Sequence, residues 1–263
     1  QMQNLPKSLR HQLSQDYAIG QLKSAGEQRS QDGTLKRLYD LGDGQLIESV
    51  LMPYNDGRRT ACISSQAGCA MGCVFCATGQ MGYSRHLTAV EIFEQAHRFA
   101  QELSLKNERL SNIVMMGMGE PFHNYDAVIE AVKMLMSRLN IGARRITIST
   151  VGLVKQIDRF AQEGLQVKLA ISLHAVDNAK RSAIMPINRR YPVEDLIDSC
   201  RRYVAATGRR VTFEWALISG KNDSEEEARA LGHLLRGLKC HVNLIPLNPT
   251  GGYSGGPSNA TSS

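Results

Sequence analysis

Residues 59–76 read Arg-Thr-Ala-Cys-Ile-Ser-Ser-Gln-Ala-Gly-Cys-Ala-Met-Gly-Cys-Val-Phe-Cys, an apolar run that breaks into a loop with three closely spaced cysteines. The run Arg59 to Ser65 predicts a strand. Cys69, Cys73 and Cys76 follow at CxxxCxxC spacing, with Gly68 and Gly72 letting the chain curl. Unusual residues placed just after a strand are what the C-terminal edge of a parallel sheet presents when it builds a site. Five more runs read as strands: Ser111 to Met116, Arg145 to Thr150, Val167 to His174, Arg210 to Ile218 and His241 to Leu247. Helical patterns separate them. Thr88 caps one, with Glu91 three residues later and Ile92, Phe93, Ala96, Phe99, Ala100 and Leu103 on one face. Asn124 opens a second, with Val128, Val132, Leu135 and Leu139 on one stripe, and Leu153 to Glu163 is a third, stopping at Gly164. Pro192 begins a fourth that reaches Ala206 before Gly208, and Ser224 caps a fifth, Glu225 to Leu238. Strand and helix alternating in this way imply right-handed parallel βαβ units, in an open doubly wound sheet or a barrel-like one.

Ahead of Arg58, Leu9 to Tyr17 is helix-like, and Thr34 to Asp40 and Gln45 to Met52 flank Gly42-Asp43-Gly44 as a hairpin. Residues 1–57 are therefore expected to form a small N-terminal extension, the remnant of an accessory domain. Residues 58–250 form the core, and the Gly- and Ser-rich 251–263 a flexible tail. The 263 residues, 42% hydrophobic and 21% charged, exclude disordered and collagen-like classes. With no apolar stretch long enough for a bilayer and no apolar signal region at the start, an intracellular, cytoplasmic protein is expected. Thirty-one Lys and Arg against 25 Asp and Glu give a net charge of +6. Several bases are adjacent: Arg58-Arg59, Arg144-Arg145, Lys180-Arg181, Arg189-Arg190, Arg201-Arg202 and Arg209-Arg210. Such an excess favours a polyanionic partner, although solvated surface explains the pairs equally well.

Six cysteines in a chain of this length are not a disulfide scaffold. Cys62 joins the three loop cysteines, while Cys200 and Cys240 stand apart and read as core. Three cysteines on one loop leave a corner of a metal cluster open to a substrate or cofactor. The alternatives are a structural zinc knuckle with Cys62 as fourth ligand, or unliganded buried thiols. Gly117 and Gly119 after the second strand let a ligand approach the backbone, and Glu120 is suited to accept from an ammonium or hydroxyl group. Ser149, Ser172 and Asn248 are small hydrogen-bonding side chains near strand ends, although each alone reads as an ordinary turn residue and His174 as a structural histidine.

The CxxxCxxC loop with Phe75 before its third cysteine resembles the radical S-adenosylmethionine (SAM) superfamily. The resemblance tightens over Cys62-Ile-Ser-Ser-Gln-Ala-Gly-Cys69, Val114-Met-Met-Gly-Met-Gly-Glu-Pro121, Ile148-Ser-Thr-Val-Gly152, Ala170-Ile-Ser-Leu-His-Ala175, Met185-Pro-Ile-Asn188 and Asn243-Leu-Ile-Pro-Leu-Asn-Pro249. In this order the set resembles the RlmN/Cfr family of RNA adenine methyltransferases, more closely RlmN, from about Gly44 to Asn259. The resemblance implies a partial (β/α)6 TIM-like barrel of the radical SAM type. It implies a [4Fe-4S] cluster on Cys69, Cys73 and Cys76, and SAM held by Gly119, Glu120, Ser149, the Ser172-Leu173-His174 segment and Asn248. Cys62 matches a catalytic cysteine that resolves a protein–RNA crosslink through a transient disulfide, and Glu48 the proposed proton acceptor; without the resemblance Glu48 reads as a solvated strand residue.

The implied activity is methylation of adenine C2 in 23S rRNA and tRNA by a monomer that draws electrons from a donor such as flavodoxin or ferredoxin. The arginine pairs would be phosphate contacts. A C8 methyltransferase like Cfr, a non-methylating radical SAM enzyme and a zinc-bearing RNA-binding module are the alternatives. The family's methyl-carrying cysteine lies in an Ala-Cys-Gly context that these residues lack. A piece of a longer enzyme is therefore expected, able to bind cluster and SAM but not to complete methyl transfer.

Overall fold

Neighbouring strands organise the molecule, and the structure, a computed structural model, describes residues 5–16 and 20–258. In chain order the elements are α1 (Lys7–Asp16), β1 (Lys23–Arg29), β2 (Leu35–Asp40), β3 (Leu46–Pro53), β4 (Arg59–Cys62), β5 (Gln66–Gly68), α2 (Ala77–Gln80), β6 (Tyr83–His86) and α3 (Ala89–Ser104). There follow β7 (Asn112–Met115), α4 (Tyr125–Arg138), β8 (Ile146–Thr150), α5 (Val154–Phe160), β9 (Lys168–Ser172), α6 (Asn178–Ile184), α7 (Val193–Thr207), β10 (Val211–Leu217), α8 (Glu225–Leu234) and β11 (Cys240–Pro246). One nine-stranded sheet runs β1-β2-β3-β4-β7-β8-β9-β10-β11. Its first four strands pair antiparallel, and from β4 onward every pairing is parallel.

All six strands expected from the sequence form; five are trimmed at one or both ends, and the sixth, β11, begins one residue earlier, at Cys240, and stops one earlier, at Pro246. Thr88 caps α3 in a complete capping box with Glu91, and α7 stops where Gly208 takes a left-handed φ of 67°. The third and fifth helices are shorter than expected, α8 ending before Gly237 (φ 74°) turns the chain. Helix α6 is unforeseen; its cap is Asp177, whose Oδ1 accepts from the Lys180 amide at 2.8 Å. Strand β1, exposed along its whole length, is also unforeseen, and it extends the expected hairpin to a three-stranded meander continuous with β4. The tail is fastened as far as Ser258: Pro257 bridges Ile218, the Ser219 amide donates to the Gly256 carbonyl, and Ser258 bonds Asp223. The expectations for Tyr17 and for residues 259–263 lie outside the described residues. No described helix is long and apolar enough to cross a membrane.

One core holds the helices to the sheet, with Ile113, Ile148, Ile171 and Phe213 of the strands buried beside Ile92, Phe99, Val132 and Leu196 of the helices. Burial at about 25 cal/mol per Å² of apolar surface makes this contact the main source of stability. A polar clamp crosses it. Gln95 of α3 is fully buried; its Oε1 accepts from Ser49 Oγ at 2.6 Å and from the Ser64 amide at 2.8 Å. Its Nε2 donates to the carbonyls of Ser64 and Glu91 at 3.0 and 3.1 Å. Every hydrogen-bonding position of the amide is filled, and the helix is thereby locked to β3 and to the chain leaving β4. Gln95→Met keeps the volume but leaves the Ser64 amide and carbonyl without that partner. A loss of about 2–4 kcal/mol of unfolding free energy is expected in urea denaturation.

Candidate active site

A cavity of about 610 Å³ opens at the C-terminal ends of the strands, and residues from β3, β4, β7, β8, β9, β10 and β11 all touch it. Strands spread across so wide a sheet share one concave space only if the sheet curls around it, which gives the partial barrel. Glu48, Cys62, Cys69, Cys73, Cys76, Gly119, Glu120, Ser149, Ser172, His174 and Asn248 line this space. Leu173 does not. Its side chain is fully buried in the main core, and only its backbone faces the site's framework, the carbonyl accepting from Arg181 Nε at 3.1 Å.

The cysteine loop is shaped by glycines. Gly68 and Gly72 have φ of 73° and 64°, and a Cβ at Gly79 would stand 2.8 Å from the Cys73 carbonyl oxygen. The Cys69 amide donates to Gly82 at 2.7 Å and the Val74 amide to Ile184 at 3.0 Å, which moor the loop at both sides. Burial pushes the Cys69 thiol up to about 11 and the Cys73 thiol up to about 12, with the charges of neighbouring cysteines and Glu120 adding to it. Bound iron would offset that penalty by replacing the protons. Among the described residues no three His, Cys, Asp or Glu side chains gather tightly enough for a single ion. Ligands to separate irons of one cluster stand further apart than ligands of one ion, so three soft thiols spaced around one cavity fit a cluster.

Glu120 is buried and oriented. Its Oε1 accepts from the Phe122 amide at 2.9 Å and its Oε2 from the Val151 amide at 2.8 Å, yet burial raises its pKa to about 7. Beside it Gly119 has φ 99°, and a Cβ there would come within 2.5 Å of Gln66 Cβ. His174, in the left-handed region at φ 58°, accepts at Nδ1 from the Ala216 amide at 2.9 Å, which leaves the proton on Nε2. Burial lowers its pKa to about 3, so it is neutral across the physiological range. Phe75 meets its ring edge-on at 4.9 Å.

Glu48 and Cys62 come from adjacent strands. Val50 pairs with Cys62, so Glu48 and Cys62 are diagonal neighbours on the cavity face. The carboxylate of Glu48 also reaches Lys36 Nζ at 3.2 Å on the exposed side. Burial pushes the Cys62 thiol up to about 11, which keeps it protonated until a base acts on it.

Two residues at the site escaped the sequence reading. Arg181 is one. Expected with Lys180 as a phosphate contact, it is fully buried, donating to the carbonyls of Val151, Ser172 and Leu173 and to Asn188 Oδ1 at 2.7 to 3.1 Å. Lys180 itself pairs with Glu227. The other is Glu214, which lines the cavity and accepts from Asn243 Nδ2 at 2.7 Å, its pKa raised by burial. A lone carboxylate inside an apolar strand run was the available signal. Other basic pairs are also partly engaged: Arg59 grips Glu108 at 2.7 and 2.9 Å and Arg202 grips Asp158 at 3.1 and 2.7 Å. Arg189, Arg190 and Arg210 are exposed.

Comparison with known proteins agrees with this geometry. The model of the radical SAM superfamily matches residues 63–231. The chain is 52% identical to the dual-specificity RNA methyltransferase RlmN 1 of Myxococcus xanthus, over 98% of this chain and 72% of that protein. It is 49% identical to the ribosomal RNA large subunit methyltransferase N of Nitrosopumilus maritimus, over 97% of this chain and 75% of that protein. The crystal structure of a radical SAM methyltransferase from Sphaerobacter thermophilus superposes with a TM-score of 0.95 at 53% identity, covering 98% of this chain and 76% of that one. A cysteine loop, a Gly-Met-Gly-Glu turn and a curled parallel sheet thus occur together in a chain that belongs to the RlmN family of the radical SAM superfamily.

Proposed function

We propose that the chain is an RNA methyltransferase acting on carbon two of an adenine in 23S rRNA and tRNA, with a [4Fe-4S] cluster and SAM as cofactors. The observation that carries this reading is the single cavity onto which the three loop cysteines, Glu120, Cys62 and Glu48 all open. Cys69, Cys73 and Cys76 hold the cluster. Glu120, its orientation fixed by two backbone amides, accepts from the SAM ammonium, while Gly119 keeps the backbone open to the ligand. Ser149, Ser172, His174 and Asn248 complete the SAM contacts from the ends of β8, β9 and β11, with Leu173 joining Ser172 to His174 from within the core. When bound, the cluster would supply the electron for reductive cleavage of SAM.

The chain's own part in the later steps rests on Glu48 and Cys62. Glu48 takes the proton from the adenine ring carbon, and its partly exposed carboxylate can pass that proton to water. Cys62 attacks the sulfur of the thioether joining the family's methyl-carrying cysteine, which has no match among these residues, to the RNA; the carbon–sulfur bond breaks, the methylated base leaves and the two cysteines are left as a transient disulfide. A small redox protein of the flavodoxin or ferredoxin kind completes the electron balance, and RNA substrates place the reaction in the cytoplasm. Relatives at about half identity that carry the RlmN name favour C2 over C8.

Anaerobic reconstitution with iron and sulfide is expected to give an iron-containing protein that cleaves SAM under dithionite. Cys69→Ala, Cys73→Ala or Cys76→Ala should each reduce both readouts to background. Zinc in place of iron, or no SAM cleavage, would overturn the reading. Mass spectrometry of digested RNA from cells with and without the gene should show 2-methyladenosine only when the gene is present; 8-methyladenosine would move the assignment to carbon eight.

A further inference from the structure

We propose that Tyr83, His86 and His123 form a stacking platform that receives an unpaired base of the RNA next to the adenine entering the cavity, an inference that rests on the RNA-methyltransferase reading. Tyr83 is 41% exposed, and both histidines are exposed. Their rings form one cluster, with centroids 5.4 Å apart for Tyr83 and His86, 5.8 Å for Tyr83 and His123 and 4.9 Å for the two histidines. The cluster borders the cavity on two sides. The Gly82 carbonyl accepts from the Cys69 amide, and His123 follows shortly after Glu120 and Pro121 of the cavity wall.

Beneath the rings lies Gln66, fully buried, and its amide orientation is fixed because Oε1 accepts from the Glu120 backbone N–H at 2.7 Å. Its NH₂ group must then face His86 Nδ1 at 2.9 Å and His123 Nδ1 at 3.1 Å, and a donor there requires both nitrogens to be acceptors. Each ring thus accepts through Nδ1, which leaves Nε2 as its N–H donor, and burial together with the neighbouring His123 lowers the pKa of His86. The nearby Arg85 is engaged by Asp43 and Glu91. Aromatic faces and oriented N–H donors, rather than a free cation, thus characterise this surface.

The chemistry gives it an occupant. An adenine reaches the cavity only after leaving its stack, which also strips a neighbour of its partner, and an aromatic face beside the mouth replaces the lost stacking. One stacked base is worth about five- to a hundredfold in affinity.

Binding of an unmodified tRNA transcript to the reconstituted protein, followed by fluorescence anisotropy at pH 8 over a range of NaCl concentrations, tests this. Tyr83→Leu is expected to weaken binding about tenfold, leaving the slope of log affinity against log salt unchanged, because no phosphate contact is lost. Tyr83→Phe should bind as the unaltered protein does, and the His86→Ala/His123→Ala double variant should also weaken binding. An unchanged thermal midpoint will show that each variant is folded. Unaltered RNA affinity in Tyr83→Leu and in the double variant overturns the platform while leaving the RNA reading intact. A shallower salt slope also overturns it, in favour of phosphate contact. If the unaltered protein binds no RNA, both the platform and the RNA reading fall.

Discussion

Where the chain leaves β7 it lies directly on the residues leaving β4, and the mouth of the cavity hangs on that approach. The Gly117 amide donates to Ile63, and the amides of Ser65 and Gln66 both donate to Met118. A Cβ at Gly117 would stand 2.6 Å from Ser64 Oγ, so a larger residue must move one strand end or the other. Ser64 Oγ in turn donates to the Glu48 carbonyl at 2.5 Å and accepts from the Met118 amide at 2.8 Å. Three strand ends, those of β3, β4 and β7, are thereby fixed to one another by backbone groups and the Ser64 hydroxyl. Glu48, Cys62 and Glu120 inherit their positions from that bonding rather than from their own side chains.

On the opposite side of the cavity a buried cation serves as the fastener. Arg181 has no carboxylate among the partners described for it; backbone carbonyls after β8 and at the end of β9, with Asn188, take its donors. Burial lowers its pKa to about 10, which still leaves it charged at neutral pH. Its charge favours the Cys73 thiolate, against the burial that opposes it. A planar five-donor group suits this arrangement, since a single ammonium could not satisfy carbonyls on several segments at once.

The six parallel strands were legible because their apolar runs are short, regularly separated and followed by strong helix caps. The cysteine loop and the Gly-Met-Gly-Glu turn were legible because their chemistry is local. Gln66, Gln95 and Arg181 were not, since each acquires its meaning from partners brought in by the fold: Gln95 serves Ser49 and Ser64, and Gln66 serves Glu120 and two histidines. Leu173 shows the same limit. Strand β9 is buried over most of its length, so alternation along the sequence does not say which residue faces the cavity. Adjacent basic residues misled for the related reason that a carboxylate far away in sequence, such as Glu108 for Arg59, is invisible to charge counting.

The change from antiparallel to parallel pairing at β4 also bears on how the molecule assembles. The meander β1-β2-β3 joins strands that are neighbours in sequence, whereas each parallel pairing from β4 onward waits for an intervening crossover. Loop closure over such crossovers is slow, and contacts between sequence neighbours form first. The leading meander is thus positioned to act as a template edge on which β4 docks, and the remaining strands can be added outward from it in chain order. Residues ahead of the catalytic segment then contribute to the rate at which the barrel is built as well as to its wall.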